Sequence, residues 1–245
     1  MIAFSLIKIP CPTRMNDILA QFYCYRDNDS EEIRLETRRL KRRLDARGVS
    51  YKSLYVECDG SCWLNLSGTI TADLSPLKYI PVTHLCLQGC YQISDFSPLA
   101  GMKLNWLNLS RTGITDLSSL GEMPLSCLKL CRTRTTSLLP LKTTFLRSLD
   151  IRFTGITDLS PLKCIPLQEL SFFPGRIEKG LHSLRDIETL KKINRRPATD
   201  FWKRYRNWRN SAVTAKKRVP KSSSPLCTLD WIIRTFQWSI GTIAF

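Results

Sequence analysis

The phrase TGITDLSSL at residues 112–120 returns as TGITDLSPL at residues 154–162, with eight of nine letters kept and 42 positions between the copies. Half that interval falls on Thr133, where TRTTSLLPL keeps the outline. Steps of 21 lead from Leu104 to Leu125, Leu146 and Leu167. They lead from Leu107 to Leu128, Leu149 and Leu170, and from Leu109 to Leu130, Ile151 and Phe172. Three columns stay apolar through four units. Going backwards, Leu85 and Leu87 open a unit one residue longer, around CYQ, and Leu64 and Leu66 open another. Six copies of LxxLxLxxTxITDLSPLxxMP run from about residue 61 to 188. No such unit is long enough to bury its own apolar face, so each must stack on the next.

A period of 20 to 29 residues headed by LxxLxL is the pattern of a leucine-rich repeat. In LxL the alternate side chains share one face, as in a half-buried strand. Stacking then joins the strands into one parallel sheet with a continuous core behind it. The DLSPL phrase starts the return path. Ser75, Ser97 and Ser160 each precede a proline, which suits an N-cap followed by a first helical position. About ten residues of return leave room for a single 3₁₀ or helical turn. The expected fold is an α/β solenoid, a leucine-rich-repeat horseshoe of about six repeats. Its parallel sheet would be concave and its short turns would lie outside.

Three phrases carry a family resemblance: LNLSGTITADLSPLKYIP (64–81), LNLSRTGITDLSSLGEMP (107–124) and LDIRFTGITDLSPLKCIP (149–166). They resemble the short bacterial leucine-rich repeats of the internalin-related kind, and arrays attached to some bacterial Ser/Thr protein kinases. The stretch GLHSLRDIETLKKINRRPATDFWKRY (180–205) is similar to the closing segment of such arrays. The resemblance covers a little over half the chain and implies the fold. It would place a kinase beside the array in some relatives, but the chain shows no Gly-rich loop after a strand, no HRD and no DFG. Two departures stand out. The column that carries Asn in such repeats reads Thr69, Cys90, Thr112, Thr133 and Thr154. A hydroxyl makes fewer hydrogen bonds than an amide, which predicts a less satisfied turn. The fourth repeat lacks the Asp and Ser of DLSP, which predicts the loosest outer turn.

Charge is uneven. The chain carries a net +16, yet residues 62–190 hold 13 basic and 10 acidic side chains. Residues 191–221 hold 12 basic and one acidic, and residues 31–52 hold eight and four. A nearly neutral solenoid therefore sits between basic flanks, which suit solvated faces or an anionic partner. Ser30 to Arg47 reads as a helix, with Ser30 as N-cap, Glu31 and Glu32 in its first turn and Gly48 after its end. Ile33, Leu40 and Leu44 share one face that would pack on the first repeat. The expected division is an amino-terminal segment (1–29), a helix and cap (30–60), the repeats (61–188), cap helices (189–210) and a basic flexible tail (211–245). In the cap, Phe201, Trp202 and Tyr205 recur at helical spacing. In the tail, KKRVPKSSSP reads as a linker.

MIAFSLIKIPCP lacks leading basic residues and is interrupted by Lys8, a poor signal peptide. No run of 18 apolar residues offers a membrane span. A cytoplasmic location with free cysteines is the expectation. Of the ten cysteines, Cys58 and Cys62, Cys86 and Cys90, and Cys127 and Cys131 are four apart. Four extended residues cover about 13 Å, too far for two thiolates on one zinc at about 2.3 Å each. No metal, no cofactor and no catalytic constellation of nucleophile, base and orienter is found.

Function is therefore expected on the sheet face opposite the leucines. One column there reads Trp63, His84, Trp106, Cys127, Ser148, Glu169. The next reads Asn65, Cys86, Asn108, Lys129, Asp150, Ser171, and a third reads Ser67, Gln88, Ser110, Cys131, Arg152, Phe173. From these, the candidate partner-binding residues are Trp63, Asn65, His84, Gln88, Trp106, Asn108, Lys129, Asp150 and Arg152. Trp63, His84 and Trp106 would form an exposed aromatic row, a usual composition for an interaction hot spot. The expected role is a protein-interaction module. A nucleic-acid-binding protein using its basic flanks is the first alternative. A repeat arm or fragment of a Ser/Thr protein kinase-type protein is the second.

Overall fold

The computed structural model describes residues 31–206. Helix α1 (Glu31–Asp45) carries Glu31 and Glu32 in its first turn and Arg42 and Arg43 in its last, a distribution that complements the helix dipole. Leu40 and Leu44 are buried, and Gly48 takes a left-handed φ of 66° just beyond the end. Two arginines fasten its end to the first outer turn: Arg43 donates to the Tyr79 carbonyl (2.6 Å) and Arg47 to that of Pro76 (2.7 Å). The expected N-cap Ser30, segment 1–29 and tail 211–245 lie outside the described residues.

The strands are β1 (Ser53–Val56), β2 (Cys62–Asn65), β3 (His84–Cys86), β4 (Trp106–Asn108) and β5 (Cys127–Lys129). They continue with β6 (Ser148–Asp150), β7 (Glu169–Ser171), β8 (Lys192–Ile193) and β9 (Arg196–Pro197). All nine form one sheet in chain order. Strands β2 to β8 pair in parallel, with Leu64, Leu85, Leu107, Leu128, Leu149 and Leu170 side by side. These are the leucines that periodicity aligned. The extra residue around CYQ leaves the register intact, because it is taken up in the outer connection between Leu85 and Leu107.

Both outer pairs are antiparallel. β1 turns back on β2, and β9 on β8. Cap helices are the expectation over 189–210. Instead a hairpin closes the sheet, with Asn194 and Arg195 at φ 51° and 65°, the two positive values of a tight two-residue turn. Residues 198–206 are helical. In this segment Phe201 and Tyr205 stack 6.1 Å apart, and Trp202 meets the Tyr205 ring edge-on at 6.0 Å.

The outer connections are short 3₁₀ turns: Ser75–Leu77, Ser97–Leu99, Ser118–Leu120, Leu139–Leu141 and Ser160–Cys164. The core fills the space between turns and strands, with Leu66, Leu77, Leu87, Leu99, Leu107, Leu120, Leu141 and Leu162 at 0% exposure. Serine does not cap these turns as expected. The residue before each has no side-chain cap bond, and aspartate does the capping. Asp73, Asp95, Asp116 and Asp158 accept the backbone N–H two residues on, at 2.8–3.0 Å. These bonds from Ser75, Ser118 and Ser160 hold the carboxyls of Asp73, Asp116 and Asp158 below the ordinary aspartate value. The fourth repeat keeps its turn because the Ser137 hydroxyl accepts from Leu139 N–H at 3.2 Å. It substitutes for the missing aspartate.

The threonine column is also better satisfied than predicted. Thr69, Thr112, Thr133 and Thr154 each donate to the carbonyl three residues back, at 2.7–2.8 Å. The Cys90 thiol reaches the Leu66 carbonyl at 3.0 Å. A hydroxyl suffices here because each turn presents one carbonyl within reach, and one donor answers it.

Candidate functional site

The parallel register brings the three sequence columns together on the face opposite the leucines. Trp63 lies beside His84, His84 beside Trp106, and Trp106 beside Cys127. The Trp63 and His84 rings stack at 3.7 Å between centroids, tilted by 15°. Trp63 and Trp106 lie 5.8 Å apart at 45°. Cys86, Trp106 and Cys127 make a buried apolar cluster, with Trp63 packed against it. The Lys129 ammonium sits 5.3 Å from the Trp106 ring centroid, within cation–π range.

The expected open aromatic row is closed at its Trp106 end. Trp106 is only 3% exposed and Asn108 only 4%. Trp63 and His84 are half-buried. Burial lowers the His84 pKa to about 4, against a smaller opposing pull from Asp59. Its ring is therefore neutral near pH 7, with Nδ1 2.9 Å from the Thr83 hydroxyl. Burial raises the Glu57 carboxyl, partly opposed by the Trp63 indole. The Trp106 indole Nε1 is buried with no hydrogen-bond partner among the described residues. An orphaned donor of that kind costs about 1–3 kcal/mol.

Three predicted site residues also serve the fold. Asn65, Asn108 and Asp150 share a column, and each accepts the N–H two residues on, at 2.9, 3.0 and 3.1 Å. These side chains turn the chain out of its strand. Asn108 additionally donates to Gln88 Oε1 at 3.2 Å, so its amide is committed within the protein. Only the sequence offset, polar residue two before the turn, hints at this use.

Farther along the sheet the face becomes charged. Asp150 holds Arg152 through both oxygens, at 2.9 Å to Nε and 2.6 Å to Nη2. Lys192 meets Glu169 at 2.7 Å. Lys129, Asp150, Arg152, Glu169, Lys192 and Arg195 line a shallow hollow of about 210 Å³. Sequence reasoning missed Glu169, Lys192 and Arg195 as a group, because Lys192 and Arg195 enter the face through the closing hairpin, outside the repeat period.

The described cysteines are all free. Cys62 has its thiol pushed up to about 11 by burial, which disfavours the reactive thiolate. Among the described residues, no three His, Cys, Asp or Glu side chains converge as a metal group. No described helix is long and apolar enough to cross a membrane.

No protein-family model matches this chain, and no curated protein does. Among the solved structures similar to it are two from Listeria monocytogenes. One is an internalin (InlF): 24% identity, 50% of this chain and 37% of that one, TM-score 0.46. The other is internalin C2: 27% identity, 52% of this chain and 58% of that one, TM-score 0.44. The chain thus spans less than two thirds of either length.

Proposed function

We propose that this leucine-rich-repeat solenoid is a protein-interaction module whose partner binds along the concave face of the sheet. One observation supports the reading above others. A stacked aromatic cluster, Trp63–His84–Trp106, stands on the face that the leucine core does not need. It adjoins a charged hollow from Lys129 to Arg195. Aromatic anchors beside paired charges are the composition of a specific protein contact, with anchors supplying affinity and charges supplying orientation. Trp63 and His84 form the accessible rim of the cluster. Lys129, Asp150 and Arg152 contribute the polar half.

The test captures partners on the full chain and compares Trp63→Ala with charge reversal at Lys216 and Lys217 in the tail. The concave-face reading expects Trp63→Ala to weaken a captured partner tenfold or more while circular dichroism is unchanged. Tail reversal should leave affinity within about twofold. Binding through the basic flanks to nucleic acid would give the opposite order, with a steep salt dependence from counterion release.

A further inference from the structure

The turn out of each strand requires one residue in the left-handed region. In the first two repeats it is glycine: Gly68 at φ 65° and Gly89 at 74°. In the next three it is Arg111 at 58°, Arg132 at 60° and Phe153 at 57°. For a residue with a Cβ, that conformation is strained. Glycine avoids the cost, as the first two repeats show, and Asn or Asp would reduce it. Three successive repeats instead carry large side chains at the strained position.

Those side chains line one edge of the solenoid. The backbone ladder holds their turns in register: Gly89 N–H bonds to the Ser110 carbonyl, Arg111 to Cys131, and Arg132 to Arg152, at 2.9 Å each. Successive turns are therefore about one strand spacing apart, roughly 4.8 Å. The Arg132 guanidinium lies 5.4 Å from the Phe153 centroid, and Phe153 lies 6.1 Å from Phe173. Phe153 is 54% exposed, and Arg111 and Arg132 are exposed. Among the described residues neither guanidinium has a carboxylate partner or a side-chain hydrogen bond. The Cys131 thiol is raised by burial and by Asp150, and Arg152, Arg132 and Arg111 pull it the other way.

We propose that the edge formed by Arg111, Arg132, Phe153 and Phe173 is a second docking surface, for an extended acidic peptide with an apolar anchor. Two unpaired guanidinium groups match carboxylates, which they hold bidentately. The two phenylalanines then take an aliphatic or aromatic side chain. Three steps of the ladder span about 14 Å, which four or five extended residues cover. A nucleic-acid strand fits less well. Base stacking needs an open ring face, and Arg132 covers one face of Phe153 while Phe173 crowds the ring.

The experiment uses the full chain and a fluorescein-labelled peptide of about twelve residues, glutamates in one half and leucine and phenylalanine in the other. Fluorescence anisotropy at physiological salt should show Arg111→Gly/Arg132→Gly weakening binding tenfold or more, with the thermal midpoint not lowered. Phe153→Ser should weaken this peptide but not one with serines in place of the apolar residues. Lys216→Ala/Lys217→Ala should leave binding within twofold. Equal binding by the arginine double variant, or a larger loss from the tail variant, overturns the proposal. So does an oligothymidylate of equal charge that binds the edge as tightly and loses affinity in the same arginine variant.

Discussion

The Trp63 and His84 rings lie face to face, 3.7 Å apart, one residue from each of two adjacent strands. That stack keeps the imidazole neutral, because burial drops its pKa from 6.5 to about 4. Between those values the unfolded chain binds a proton that the folded chain refuses, so stability rises with pH across this window. Above pH 6.5 the contribution is level. On acidification from pH 6.5 to 4 the fold should lose up to about 3 kcal/mol, at about 1.4 per pKa unit. Denaturant unfolding at several pH values measures this slope. His84→Gln should flatten it.

Trp106 belongs to the packed interior of its face, so Trp106→Ala should cost about 3–5 kcal/mol, the range for a large buried aromatic. An open side chain, as strand alternation alone implies, would make the same change nearly neutral. Trp106→Phe should cost much less, since it also removes the unpartnered Nε1–H. Urea midpoints of the two variants distinguish a buried from an exposed tryptophan.

Leu128 and Lys129 are neighbours on opposite faces of one strand. Leu128 is at 0% exposure, and its change to Ala should cost about 2–5 kcal/mol. Lys129→Ala should cost less than about 1, the worth of an exposed cation–π contact. Equal losses at the two positions would reverse the assignment of the faces.

Gly180 and Gly101 share nearly the same left-handed φ, 77° and 78°, but not the same surroundings. A Cβ on Gly180 would lie 2.1 Å from Ser160 N and 2.5 Å from the Leu159 carbonyl carbon, whereas one on Gly101 meets nothing within 4 Å. Gly101→Ala should cost about 1–2 kcal/mol of backbone strain alone. Gly180→Ala should cost distinctly more, because backbone must move, and its thermal midpoint should fall well below that of the Gly101 variant.

Arg111→Gly should raise stability by about 1 kcal/mol by relieving a left-handed Cβ. Gly89→Ala, the reverse change one repeat earlier, should lower it by a similar amount. A calorimetric comparison of both with wild type gives the sign directly.

The period of 21 by itself determined which leucines lie side by side, which residues face away from them, and where the chain turns. The reason is that a strand has two faces and a stacked unit only one way to bury its apolar one. The strained column went unread, although Arg111, Arg132 and Phe153 stand at the offset where Gly68 and Gly89 stand. Only the tertiary structure decided the rest. Asn108 points out of the core by its alternation, yet its amide is spent on Ser110 and Gln88. Trp106 shares that face and is nonetheless buried against Cys86, Cys127 and Trp63. Burial and hydrogen bonding at these positions depend on neighbours about twenty residues away in the chain, and on the size of what each neighbouring strand places alongside. A pattern of leucines specifies the register of those neighbours but carries no information about how closely their side chains pack.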